Sequence, residues 1–542
     1  MNTIELASKQ VDCKVFISVD WPDTADIPSS FVWLRPYDLT WNDFGHITKA
    51  MIVFVENGEA VFEYNGKAAY LEPGERKYVG VGNAVQGLST DELGVIATDS
   101  QNVISLAEAQ EMYRMIIREL GVELGNDRLA AAGDMVALQG DASRREIERA
   151  ALVSDVFRFS LTRESEAYHA FKNAGPILRG LDQEDISSGP EAVVINVADQ
   201  DGRNVEVDFT FDHSATIPKR TCVIIGKNGV GKSRALGNIA RKALRGISRS
   251  ASEDKNRIVA SRVLAFTPGN EYTGIFPNEN WKRPATYYKR LSTGRVRHST
   301  GGNTATASIV ELSRNDRKIA DKSRFSIFMD AVQAINRPEE IAFQSSTSKN
   351  IIPLTELMAN TEQHRLELLF DMNQAVEPGR MVNGRFFYLS SGEVRLIKLL
   401  AQACTYIENG SLLLLDEPET HLHPNFIARL MSALEKLLAD TGSCAIMATH
   451  SVYVVREVFH DQVLVMEKDI DGLIAVKTPG MRTFGADISS ISAFIFGEED
   501  TSYLAEDTIR RIRAEHLSFD ELRDKYGAFL SREILSELRE EE

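Results

Sequence analysis

A chain of 542 residues is too long for one compact domain, and its 43% hydrophobic and 26% charged content is that of a globular protein able to bury several cores. A formal net charge of -17 excludes a protein that coats nucleic acid or an anionic membrane by bulk charge. The longest apolar runs, such as Ser411–Leu415, are strand-sized and far short of a membrane span.

The first residues, MNTIELASKQVDCK, contain no apolar segment of a secretion signal, so a cytoplasmic location is expected. Residues 1–104 read as a β-rich module. Lys14–Val19, Ala50–Val55 and Glu59–Tyr64 have strand patterning, and Asn65-Gly66 is expected to turn the chain into Ala68–Leu71. Residues 105–185 read as a helical connection, beginning with apolar positions at helical spacing over Leu106–Leu120.

Residues 186–268 return to strands at Ala192–Ala198, Val205–Phe211, Thr221–Ile225 and Val263–Phe266. Residues 269–383 are expected to form a long insertion or arm of mixed, mainly helical character. Its stretch from Trp281 to Arg324 holds eleven Lys/Arg against three Asp/Glu, with Trp281, Tyr287 and Tyr288 interleaved. Two readings stay open for it, a local nucleic-acid contact and a solvated or protein-docking arm, with the second preferred.

Residues 384–485 alternate helices with the strands Leu412–Leu415, Ala445–Ala448 and Val463–Met466, and residues 486–542 form a helical tail with Ser518-x-x-Glu521 as a capping box. The fold class expected is α/β, a mostly parallel P-loop sheet wrapped by helices, with the β module in front. Cys13, Cys222, Cys404 and Cys444 form no C-x-x-C pair and read as reduced core thiols.

Four motifs carry chemistry. Gly226-Lys-Asn228-Gly229-Val-Gly231-Lys232-Ser233 follows an apolar strand and opens a helix. In that setting backbone N–H groups cradle phosphate oxygens, Lys232 reaches the β- and γ-phosphates, and the Ser233 hydroxyl ligates Mg²⁺. Downstream, the buried-strand pattern of Ser411–Leu415 delivers Asp416 to a sheet edge as a second Mg²⁺ ligand, with Glu417 placed as general base. ATP and Mg²⁺ are therefore the expected cofactors, and ATP hydrolysis the expected reaction. Leu389-Ser390-Ser391-Gly392-Glu393 starts a further helix, and Ala448-Thr449-His450-Ser451 ends a strand.

Leu389–Glu393 resembles the signature motif of ABC ATPases, and the four motifs in this order resemble that family over roughly residues 192–485. The resemblance implies that Ser390, Ser391 and Gly392 bind the γ-phosphate of a nucleotide held by an opposite lobe. It also makes His450 the γ-phosphate-sensing histidine and the chain a homodimer or higher homo-oligomer. The S-S-G-E variant and the string Asp416-Glu-Pro-Glu419-Thr-His421-Leu-His423-Pro424 resemble the ATPases related to OLD-type proteins, in a stand-alone form without a TOPRIM nuclease domain. Within that group the stretches from Tyr287 to Gly294 and from Thr483 to Gly497 look similar to the Septu ATPase (PtuA-like) of anti-phage systems. This implies a sensor or regulator acting with a separately encoded nuclease or toxin effector, and not on a membrane. A nucleotide-gated scaffold with slow turnover and a DNA-repair-type ATPase are the alternatives.

No nuclease site is read in the chain itself: Asp469-Ile-Asp471 reads as hairpin chemistry, and His421 and His423 as loop residues rather than a metal pair. The glutamine that the family often places after the strand ending at Phe266 is missing, and Thr267 and Asn270 are the residues available to replace it.

Overall fold

The computed structural model describes residues 14–540, apart from 23–26, 73–76, 89–93, 140–143, 181–188, 199–203, 218, 246–257, 270–273, 282–283, 295–303, 316, 349, 359–361, 421, 469–472, 498–502 and 516.

The amino-terminal module is built on β1 (Lys14–Ile17), β2 (Phe31–Pro36), β3 (Lys49–Glu56), β4 (Glu59–Leu71), β5 (Tyr78–Gly80), β6 (Ile96–Asp99) and β7 (Val103–Ala107). They pair in the order β5-β4-β3-β2-β1-β6, with β7 also on β4. Only β1 and β2 run parallel. The hairpin turn between β3 and β4 lies at Asn57-Gly58, both at positive φ. The turn expected at Asn65-Gly66 is absent, because these residues sit inside β4. A Cβ on Gly66 would lie 2.9 Å from the Leu106 carbonyl oxygen, so this glycine serves the close approach of β7. Ser105 and Leu106 accordingly belong to a strand, and the helix starts only at Gln110.

Helices Gln110–Leu120, Val122–Ala131 and Ser165–Asn173 cover one face of this sheet, with Tyr113, Ile116 and Phe171 packing against a core that includes Ile52, Phe54 and Ala69. Under them Asp134 is fully buried, accepting from the Tyr113 hydroxyl at 2.7 Å and from the Val136 and Ala137 N–H groups. Burial pushes its carboxyl up to about 7, against the lowering effect of these hydrogen bonds. A folded-state value above the unfolded one means the folded protein holds the proton longer. The stability Asp134 contributes is thus full below its unfolded value of 3.8 and is lost as pH rises through about 7. Asp134→Asn is expected to remove this trend. Denaturation midpoints of wild type minus variant should fall as pH is raised from about 5.5 to about 8, and a flat difference would refute the assignment.

The second sheet comprises β10 (Thr221–Ile225), β11 (Arg262–Thr267), β12 (Tyr287–Ser292), β19 (Leu412–Asp416), β20 (Cys444–Thr449), β21 (Val463–Lys468) and β22 (Ile474–Lys477), in the order β12-β11-β19-β20-β10-β21-β22. Every pair is parallel except β21–β22. On one face, helix Lys232–Arg245 packs with the hairpin of β8 (Ala192–Ala198) and β9 (Asn204–Thr210). On the other lie helices Ser391–Tyr406 and Pro424–Thr441. The near-continuous apolar runs of β10, β19 and β20 follow from burial on both sides. The central strands β19, β20 and β10 are neighbours, so their carboxyl ends converge at one edge, where open parallel sheets place their ligands.

The 269–383 insertion is of mixed character, with helices Ala305–Ser313, Arg324–Gln333 and Glu362–Asp371 as well as strands. Residues 269–383 contribute edge strand β12, the hairpin of β13 (Lys318–Ile319) and β14 (Lys322–Ser323), and most of a four-stranded antiparallel sheet. That sheet has the order β16-β15-β17-β18, from β15 (Ile341–Gln344), β16 (Ile351–Pro353), β17 (Gly379–Val382) and β18 (Arg385–Tyr388). The Asn383-Gly384 turn that closes β17 onto β18 is a hairpin signal at the very end of the segment. Ile309, Leu312, Phe328 and Val332 share a core with Leu396, Leu400 and Leu434 of the helices behind the main sheet.

The basic stretch is partly structural. Arg324 is 1% exposed and grips both carboxylate oxygens of Glu408. Tyr288 is buried with its hydroxyl on the Pro277 carbonyl. Arg295 and Arg297 lie outside the described residues, as do Cys13 and the Asp469-Ile-Asp471 turn. Cys222, Cys404 and Cys444 are buried free thiols. In the tail, Ser518 and Glu521 form the capping box, and Ile509, Ile512, Leu522 and Leu538 make a small cluster of their own.

Candidate functional site

The loop after β10 starts with Gly226, whose missing Cβ would stand 2.1 Å from the Met466 carbonyl oxygen; only glycine passes beneath the end of β21 there. Asn228 follows at the tip, and Gly229 and Gly231 take φ of 79° and 109°. The loop ends at the amino terminus of helix Lys232–Arg245, a setting that receives phosphate. Lys232 is 5% exposed, and its ammonium donates to the carbonyls of Gly226 at 2.8 Å and Lys227 at 3.1 Å. Burial lowers its pKa, while the carboxylates of Glu417, Asp416 and Glu419 hold it back.

Ser233 donates its hydroxyl hydrogen to Asp416 Oδ1 at 2.8 Å, joining the first motif to the end of β19. Asp416 is buried, and desolvation pushes its carboxyl up to about 6; the Ser233 bond opposes this, and the neighbouring Glu417 and Glu419 charges add to it. Glu417 takes a left-handed φ of 43°, and its N–H donates to the Ala448 carbonyl at 2.9 Å. This turns the side chain off the strand direction at the sheet edge. His450 Nδ1 lies 3.5 Å from Glu417 Oε1 and 3.7 Å from Glu419 Oε1.

Glu419 is the member of the site that the motif reading passed over. It is 4% exposed, accepts from the Thr449 hydroxyl and from the His450 N–H at 3.3 Å, and burial raises its pKa. Its Oε2 has no hydrogen-bond partner among the described residues. Its position two residues after Glu417 was the available signal. The hydroxyl of Ser233 and the carboxylate of Asp416, 2.8 Å apart, are hard oxygen donors of the kind that fit Mg²⁺.

The helix Ser391–Tyr406 begins with a capping box. The Ser390 hydroxyl accepts from the Glu393 N–H at 3.3 Å, and Glu393 Oε2 accepts from the Ser390 N–H at 2.9 Å. Glu393 Oε1 accepts from Asn336 at 2.9 Å and Arg380 at 2.7 Å, both in the insertion. Burial alone would raise the Glu393 carboxyl, but these bonds outweigh it and hold it below the usual range. Ser390 and Ser391 are exposed, and Gly392 packs against Leu422. Among the described residues no hydrogen bond or ion pair joins Ser390, Ser391 or Gly392 to the Gly226–Ser233 loop, Asp416, Glu417 or His450. Three motifs therefore meet at one edge, and the fourth stands apart.

Thr267 does not face this edge, since its hydroxyl donates to the Leu291 carbonyl of β12; Asn270 lies outside the described residues. His423 caps helix Pro424–Thr441 through Asn425, and His421 lies outside the described residues. No described helix is long and apolar enough to cross a membrane.

Residues 222–456 match the family described as "AAA domain, putative AbiEii toxin, Type IV TA system". Protein ea59 of Escherichia phage lambda is 26% identical over 145 residues, covering 27% of this chain and 27% of that protein. UvrABC system protein A of Streptococcus pyogenes serotype M3 is 34% identical over 93 residues, covering 17% of this chain and 10% of that protein. The chain thus spans no more than 27% of the length of these curated relatives. Among solved structures, cbiO1 from Clostridium perfringens, part of the ABC transporter complex cbiONQ, aligns with a TM-score of 0.27 and 15% identity over 60% of this chain and 96% of that one. The phosphate loop, the paired acids and the histidine, set on adjacent parallel strands, all lie inside the segment that matches this AAA-domain family.

Proposed function

We propose that the chain is an ATP-hydrolysing switch whose active site is completed between two copies. One observation carries the reading: Ser390 and Ser391 at this helix start are exposed and, among the described residues, bonded to nothing in their own chain's phosphate-loop site, so they are available to a neighbour's. In this reading the loop Gly226–Ser233 and Lys232 hold the triphosphate, and Ser233 and Asp416 are the magnesium ligands. Bound Mg²⁺ supplies charge neutralisation on the transferred phosphoryl group. Glu417 orients the attacking water and takes its proton, and His450, beside it, reads whether the γ-phosphate is present. Ser391 and Gly392 of a second copy close over that phosphate, so closure lasts until hydrolysis.

We further infer that the open and closed forms license a separately encoded nuclease or toxin effector in anti-phage defence. The S-S-G-E and D-E-P-E strings and the family's toxin–antitoxin description support this reading.

Light scattering of the purified full chain tests the composite site. With ATP and Mg²⁺ under slowed turnover the mass is expected to double or rise further, and with ADP to fall back. A monomer that hydrolyses ATP at a rate independent of protein concentration would sink the proposal.

A further inference from the structure

Where the amino-terminal module meets the ATPase domain, a cleft of about 600 Å³ lies at the opposite end of the main sheet from the phosphate loop. Its wall includes Arg262, the first residue of β11, and Tyr406, just ahead of β19. Helix Gln110–Leu120 of the amino-terminal module contributes Glu111 and Arg118. Arg262 pins the seam, donating to Glu166 at 2.9 Å and to the Tyr406 carbonyl at 2.9 Å while its guanidinium stacks 4.5 Å from the Tyr287 ring.

The charges of this cleft run against the acidic protein around it. Five arginines line it against two glutamates. Arg262 and Arg324 are paired with Glu166 and Glu408, and Glu111 with Arg114, while the Glu311 carboxylate accepts from the neutral Tyr406 hydroxyl and keeps its charge. What remains is positive. Among the described residues Arg118 pairs with Glu119 alone, on the open surface, a contact of little strength. Among the described residues the guanidinium groups of Arg314 and Arg317 have no hydrogen bond or ion pair. Three poorly compensated guanidinium groups at one concave site, beside two tyrosine rings, match the planar, bidentate chemistry of phosphate esters.

We propose that this seam cleft binds a phosphate-bearing ligand of nucleotide size, at a site separate from the phosphate loop. Size and charge favour a small ligand over a strand of nucleic acid. The volume is that of a small-molecule pocket. Glu311, on the same wall, opposes an extended row of phosphates and suits a hydroxyl or amino donor of a single nucleotide. The ligand would bridge the amino-terminal module and β11, which pairs with β19, the strand that ends at Asp416. It would thereby tie the pose of that module to the ATPase sheet.

The test uses calorimetric titration of the full chain with inorganic pyrophosphate and with ADP. In a Lys232→Ala background, which silences the phosphate loop, at least one probe is expected to bind. Adding Arg314→Ala and Arg317→Ala should weaken that binding by at least about tenfold. Both arginines are exposed and make no hydrogen bond or ion pair among the described residues, so the variant should melt with the parent. ATP turnover of the double variant with Lys232 intact should remain near wild type when no seam ligand is added. The proposal is overturned if neither probe binds the Lys232→Ala chain, or if the arginine changes leave binding unaltered. It is equally overturned if a single-stranded oligonucleotide binds these arginines with a steep salt dependence while both probes fail.

Discussion

Replacing Glu417 by Gln is expected to lower ATP turnover by about two orders of magnitude or more while leaving nucleotide binding intact. The argument starts from the backbone. Glu417 sits at a left-handed φ fixed by its N–H bond to Ala448, one residue beyond the buried strand that holds Asp416. Glutamine keeps the size of the side chain and its place near His450, but its amide cannot accept a proton from water. Hydrolysis stops and closure does not, so the variant should accumulate as the ATP-bound dimer. Phosphate release with parallel light scattering checks both halves. Wild-type turnover in Glu417→Gln would remove Glu417 from the role of base.

The second large effect is expected from a pair of variants that fail separately and recover together. Lys232→Ala removes the ammonium that bridges two loop carbonyls and should abolish hydrolysis. Ser391→Arg places a bulky cation at an exposed helix start and should abolish it as well, without disturbing a core. If the site is shared, a mixed dimer keeps one intact site, made of the lysine of one copy and the signature of the other. Random mixing should then restore about a quarter of wild-type activity. No recovery, with mixed dimers demonstrated, would mean that each copy works alone.

The phosphate loop was legible because its chemistry dictates residue types at fixed spacing, whatever surrounds them. Asp416 was legible because a strand buried on both faces writes a continuous apolar run that ends at the acid. Local signals failed where contacts cross long stretches of chain. Asn65-Gly66 looks like a turn, and only the arrival of Leu106 explains its glycine. Arg324 looks like one more member of a basic stretch, and only Glu408, 84 residues on, makes it a core residue. The insertion's sheet was hidden because its strands are no more than four residues long, too short for either periodicity to show. Glu393 stood out in the sequence as the last residue of the S-S-G-E variant, but its partners Asn336 and Arg380 could not be read from its neighbours.

Those partners have a mechanical consequence. One oxygen of Glu393 is spent on the helix start, and the other is clamped by two donors from the insertion. Prising the insertion away would leave a nearly buried negative charge without its counterion, a costly state in a protein interior. The exposed tip at Ser390 and Ser391 and the small sheet behind it are therefore coupled, so a load applied to that sheet is delivered to the tip.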